Sequence, residues 1–162
     1  MYHKNILILL FGIILLFPSC SHDDAVIDEV HLFEGAWNRF QSEDFVAHIR
    51  DNDIPYNLYC EVVVDPAQYQ YDALPLFVNV YSESGERRMF RASLIIRDKQ
   101  GVVKGERSEG KIVLNQCIRD TYFFNHTGAD TIKIGQATQY YEVYGVKSLR
   151  LYIQPTAIEY PL

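Results

Sequence analysis

Cysteine, methionine and tryptophan are scarce in this chain: three, two and one among 162 residues. No CxxC pair and no Cys/His cluster has the spacing of a structural zinc site. The five histidines, His3, His22, His31, His48 and His126, are scattered along the chain. Neither their spacing nor an acidic neighbour suggests a metal site or a nucleophile–base pair. No stretch holds an apolar period of 3.6 for more than a turn or so, which argues against a βαβ architecture. Positive charge is short as well, with 15 Lys and Arg against 21 Asp and Glu and a net charge of −6. Such a chain has no basic patch with which to neutralise phosphates, so it is a poor partner for nucleic acid or an anionic membrane surface, and no nucleic-acid partner is expected. Without paired carboxylates, a triad or a phosphate-cradling loop, the expectation is a protein that is no enzyme and carries no cofactor and no metal.

What is present begins with an apolar run from Ile6 to Phe17, preceded by Lys4 and followed by Pro18, Ser19 and Cys20. The order is that of a secretory signal, too short and wrongly flanked for a spanning helix. A small residue directly before cysteine resembles the processing site of bacterial lipoproteins, in which the cysteine becomes the acylated first residue. Removal of residues 1–19, whose only charged side chain is Lys4, takes the formal charge to −7. The lipid on Cys20 is then the expected link to the membrane, each buried methylene contributing about 0.8 kcal/mol. Ser21, His22, Asp23 and Asp24 resemble the acidic export tag of Bacteroidetes-type surface lipoproteins, and read equally well as a plain solvated tether. The expected division is a signal peptide at 1–19, an acylated cysteine and acidic tether at 20–34, and one domain at 35–162.

Beyond the tether the apolar pattern has period two. Phe45–Ile49, Leu58–Val64, Leu76–Val80, Phe90–Ile96, Lys111–Leu114, Thr121–Phe124, Thr131–Ile134 and Lys147–Ile153 each read as half-buried strands rich in Val, Ile, Tyr and Phe. Turn formers stand between them, among them Asp51-Asn52-Asp53-Ile54-Pro55, Asp65-Pro66, Glu83-Ser84-Gly85 and Asn125-His126-Thr127-Gly128. The fold expected is a single antiparallel β-sandwich of about seven or eight strands, of jelly-roll or immunoglobulin-like kind. Cys60 and Cys117 remain after Cys20 is committed to lipid. They are either a disulfide, which an envelope compartment would preserve, or buried free thiols packed as small apolar residues.

Few side chains stand out as a site. Asp51, Asn52 and Asp53 offer oxygen atoms to calcium, but without the EF-hand pattern they read better as a turn whose Asx side chains bond their own backbone. Tyr69, Tyr71, Tyr140, Tyr141 and Tyr144 fall in or near turns, where flat rings form either a platform for sugars or the ordinary filling of a sheet. Arg87, Arg88 and Arg91, and the basic residues from Lys104 to Lys111, alternate with Glu and Ser as solvated hairpin faces do. Asp130-Thr131-Ile132 fits a short O-glycosylation pattern with Thr131 as acceptor.

Several of these segments together are similar to the GldH family of gliding-motility lipoproteins. The resemblance spans residues 36–154 and rests on Ala36-Trp37, on Phe45-Val46-Ala47-His48-Ile49, and on the run Asp51 to Tyr59 with its Pro55-Tyr56-Asn57-Leu58. Tyr69-Gln70-Tyr71 with Leu74-Pro75-Leu76-Phe77 is similar to the family's Tyr-x-Tyr-x-x-Leu-x-Leu-Phe block. Asp98-Lys99-Gln100-Gly101 with Gly105, and Gly145 to Leu151, carry the rest. The chain departs from the family at Val64-Asp65-Pro66 and at Thr138-Gln139-Tyr140-Tyr141. The resemblance implies an outer-membrane lipoprotein of the cell envelope, serving as a structural or interaction component of a gliding or secretion-type assembly with envelope protein partners. It brings no catalytic residues. The alternative is a surface β-sandwich that binds carbohydrate through its turn tyrosines.

Overall fold

A computed structural model describes residues 26–157 of the chain. The alternation seen in the sequence is realised as strands. They are β1 (Ile27–Leu32), β2 (Trp37–Asn38), β3 (Ser42–Ile49), β4 (Tyr56–Val64), β5 (Ala73–Ser82), β6 (Arg87–Ile95), β7 (Glu106–Ser108), β8 (Lys111–Tyr122), β9 (Gly128–Gln136), β10 (Glu142–Val143) and β11 (Val146–Pro155). Two antiparallel sheets form a β-sandwich, with strand orders β1-β11-β4-β8-β7 and β3-β9-β5-β6. β2 and β10 pair as a separate short ribbon. Only β5–β6 and β7–β8 are hairpins within one sheet; the other long connections cross between the sheets.

The inner faces follow the period of two. Tyr56, Leu58, Cys60, Val62 and Val64 of β4 are buried, as are Leu74, Leu76, Val78 and Val80 of β5. Phe45, Ala47 and Ile49 of β3, Ile132 and Ile134 of β9, and Leu149, Leu151 and Ile153 of β11 complete the core. Full burial of such a side chain contributes roughly 1.5–3 kcal/mol. Trp37 plugs one end of the sandwich, fully buried, with its indole N–H donated to the Gln41 carbonyl at 3.1 Å.

Three features differ from the sequence expectation. The segment expected as tether, 20–34, contains β1, which pairs with β11 from Ile27↔Ile153 to Leu32↔Ser148. Its pattern is inconspicuous because only Ile27 is buried, and backbone pairing rather than apolar burial holds it in place. The runs Lys111–Leu114 and Thr121–Phe124 belong to one continuous strand through Tyr122, which changes register against β4 near Leu58 and Tyr59. Of the two readings of Cys60 and Cys117, free thiols are what the structure has; the difference is that Cys117 is exposed, whereas Cys60 is buried. Cys60 lies opposite Gln116 and Cys117 opposite Tyr59, so adjacent positions of alternating strands send the two sulfurs to opposite faces. Burial pushes the Cys60 thiol up to about 12, leaving it inert.

Candidate functional site

The end of the sandwich that carries Trp37 also gathers exposed aromatic rings. Its geometry starts at Asp65-Pro66-Ala67, where the Asp65 carboxylate accepts from the Ala67 N–H at 3.0 Å. The Asp65 carbonyl accepts from Gln68 and Tyr69 N–H groups. This turn drops Tyr69 into the interior, where its hydroxyl donates to the Ala73 carbonyl at 2.8 Å. Gly145 makes room for it. With φ at +88°, a β-carbon there would lie 2.6 Å from the Tyr69 nitrogen. Tyr71 meets the edge of Tyr69 at 5.3 Å and stacks on Tyr140 at 4.9 Å between centroids. Tyr140 is set by buried Gln136, whose amide donates to the Tyr140 carbonyl and accepts from the Thr138 N–H and hydroxyl. Tyr141 turns the other way, edge-on to Phe40 at 5.2 Å.

Tyr71, Tyr140, Tyr141 and Phe40 are exposed at 37%, 40%, 60% and 75%. Tyr69 is not, and the expectation that it belongs to an exposed platform is corrected. Its hydroxyl is satisfied internally and its ring is core. Tyr71 and Tyr140 cover each other's faces, so the rings form a ridge rather than an open shelf.

Beside this ridge, the outer face of β3-β9-β5-β6 holds an open trough of about 340 Å³. Gly135, which has no side chain, lies in it opposite Phe77 and Ser42. Phe40, Phe77, Tyr81 and Met89 line it together with Arg39, Arg87 and Lys133. Guanidinium groups lie over the rings: Arg91 on Phe77 at 4.7 Å, Arg87 on Tyr81 at 5.2 Å and Arg39 on Phe40 at 5.9 Å.

A second polar group lies at the opposite end. Asp130 of β9 is buried, and one carboxylate oxygen is 3.0 Å from His126 Nε2 without the alignment of a hydrogen bond. Burial raises the Asp130 pKa, against the lowering effect of His126 and Arg88 nearby. Arg88 donates to Glu86 and to the Phe123 carbonyl, and Asn125 donates to Glu86. The space among these residues, about 10 Å³, is close to that of a single water. The network fastens the β8–β9 loop to the β5–β6 hairpin, and among the described residues neither a serine–histidine hydrogen bond nor a second buried carboxylate accompanies it. The sequence shows His126 with no evident acidic neighbour, and the structure supplies one in Asp130. The available signal was its His-x-x-x-Asp spacing across Gly128, whose φ of +124° folds the loop back onto the strand.

The remaining expectations fall as follows. The Asp51 side chain accepts from the Asp53 N–H at 2.9 Å, the Asx turn anticipated. His31, expected in the tether, lies in β1 against Phe45 and bonds Glu43 and Glu29. Thr131 sits in strand β9, as the alternation from Thr131 to Ile134 predicts, half-buried between Val46 and Tyr81. Cys20, Ser21, His22, Asp23 and Asp24 lie outside the described residues. Among the described residues no group of three His, Cys, Asp or Glu side chains could hold a metal ion, and no helix is long and apolar enough to cross a membrane.

The fold and its surfaces define an all-β sandwich whose exposed features are stacked rings, guanidinium groups and an open trough. The family model of the GldH lipoprotein matches residues 25–153, and the chain belongs to that family. It is accordingly a lipoprotein associated with the membrane of the cell envelope. No curated protein matches the chain.

Proposed function

We propose that this protein is a non-enzymatic, lipid-anchored component of a gliding-motility or secretion-type assembly at the outer membrane, acting by placement and docking. The reading rests on family membership across residues 25–153. One structural observation gives it mechanical content: strand pairing begins at Ile27, and the Val26 N–H already donates to the Ile153 carbonyl. Only five residues, six Cα–Cα steps, then separate Val26 from Cys20. Even fully extended they reach about 20 Å. An acyl chain on Cys20 holds the Ile27 end of the sandwich close to the bilayer. The aromatic end, roughly 20 Å further along β4 from Leu58 to Val64 at about 3.3 Å per residue, then faces away from it toward partners.

The test is a crosslinking pull-down from intact envelopes, with a C-terminally tagged chain and Cys20→Ala as control. Recovery of defined envelope proteins that depends on Cys20 is the expected result. Recovery of polysaccharide alone, or of nothing, overturns it.

A carbohydrate-binding surface lipoprotein is the second reading, favoured by the ridge of Tyr71, Tyr140, Tyr141 and Phe40. It requires retention on a polysaccharide that falls on Tyr140→Ala or Phe40→Ala. Equal retention of the variants across a broad glycan panel removes it.

A further inference from the structure

In an antiparallel strand the N–H and C=O of alternate residues point to the same side. In β6 the Ile95 N–H donates to the Gln116 side-chain oxygen at 3.1 Å, and the Ser93 carbonyl accepts from the Gln116 amide at 3.0 Å. Residues 93 and 95 therefore turn their backbone away from β5. Pairing of β5 with β6 runs without a register shift from Ala73↔Ile95 to Tyr81↔Arg87. By the same alternation Arg87, Met89 and Arg91 direct their N–H and C=O groups away from β5 too. Among the described residues nothing bonds those groups. The edge is capped at one end by Gln116 and open from Arg87 to Arg91.

The side chains along the open stretch have a definite character. Met89 is 63% exposed between Arg87 and Arg91, which are exposed as well. Their guanidinium groups lie on Tyr81 and Phe77, whereas Arg88, Arg97 and Arg150 have carboxylate partners. A second copy of this edge does not fit. Antiparallel pairing centred on Met89 sets Arg87 opposite Arg91 twice, and like charges directly opposite are destabilising. Carboxylates at those two positions convert the clash into charge-assisted, bidentate contacts.

We infer that β6 receives, along Arg87–Arg91, an extended acidic segment of a partner protein as an additional strand, with carboxylates flanking an apolar residue at alternate positions. Main-chain bonds to Met89 and Arg91 supply affinity, and the two arginines select the sequence. This rests on the interaction role proposed above and names the surface that carries it.

The direct test uses purified full chain and a fluorescein-labelled peptide, Thr-Glu-Thr-Leu-Thr-Glu-Thr, with its Lys-for-Glu counterpart. Saturable binding of the acidic peptide alone is expected. Met89→Pro removes an outward N–H that β5 does not use, so the melting temperature holds while binding weakens at least tenfold. The double variant Arg87→Glu, Arg91→Glu loses the acidic peptide and gains the basic one, which separates recognition from misfolding. No saturable binding of the acidic peptide, equal binding of both peptides, or undiminished binding by Met89→Pro overturns the inference. In the envelope pull-down, undiminished Cys20-dependent capture by both variants overturns the edge assignment and leaves the interaction role standing. Capture of nothing by the native chain overturns that role and the inference with it.

Discussion

The two long sides of the sandwich are closed by different chemistry. On one side β1 approaches β3, and His31 joins them. Its ring packs on Phe45 at 4.4 Å, with Nδ1 2.7 Å from Glu43 and Nε2 3.0 Å from Glu29. On the other side β8 approaches β6, and Gln116 joins them by bonding backbone with a neutral amide. The first closure titrates and the second does not. The first joins side chains of two strands, whereas the second supplies the hydrogen bonds an absent strand would make and stops after two residues. What remains of that edge is the open stretch of β6. A sheet edge is thus managed in two ways in one molecule, and only one leaves a docking strip.

The comparison can be broken or sharpened by substitution. The largest effect is expected at Phe45→Ala, which empties the core beneath His31 and should cost about 3–5 kcal/mol in denaturant unfolding. Gln116→Ala should cost about 0.5–1.5 kcal/mol by removing two exposed hydrogen bonds to the backbone of Ser93 and Ile95, with no dependence on pH between 5 and 9. His31→Gln should behave otherwise. Burial lowers the His31 pKa, but hydrogen bonds to Glu43 and Glu29 outweigh it and the net direction is up. A group raised on folding contributes fully below its unfolded value, about 6.5, and loses that contribution as pH rises through the folded value. The cost of His31→Gln should therefore be about 0.5–1 kcal/mol at pH 5.5, after solvent screening, and near zero at pH 9. Asp28→Asn is the smallest. The paired bonds from Arg150 hold the Asp28 carboxyl below its usual value, outweighing partial burial. That contribution is present above about pH 4 and lost as pH falls through the folded value, and for this part-exposed pair should be roughly 0.5 kcal/mol.

The same contrast shows what was legible in the sequence. Strands buried on one face announced themselves, because Leu58 to Val64 and Leu74 to Val80 alternate without interruption. The sides of the sandwich did not. β1 reads Ile-Asp-Glu-Val-His-Leu, in which a histidine takes a core-facing place. The middle of β8 reads Asn-Gln-Cys-Ile-Arg-Asp, where Gln116 stands at an inward position to bond backbone. Polar residues with partners distant in sequence look like turns until those partners are known. Tyr69 was misplaced for a related reason: an Asp-Pro turn predicts exposure, and only the close approach of Gly145, 76 residues on, buries it. The family was legible because strand and turn motifs along residues 36–154 carry it. The docking strip was not, because it is defined by which backbone groups lack a neighbour.

Residue-resolved amide hydrogen exchange along β6 tests the asymmetry most directly. Phe90 and Ala92, which face β5, and Ile95, capped by Gln116, should exchange slowly, while Met89 and Arg91 exchange orders of magnitude faster. Protection of Met89 and Arg91 equal to that of Ile95 in the isolated chain would contradict an open edge.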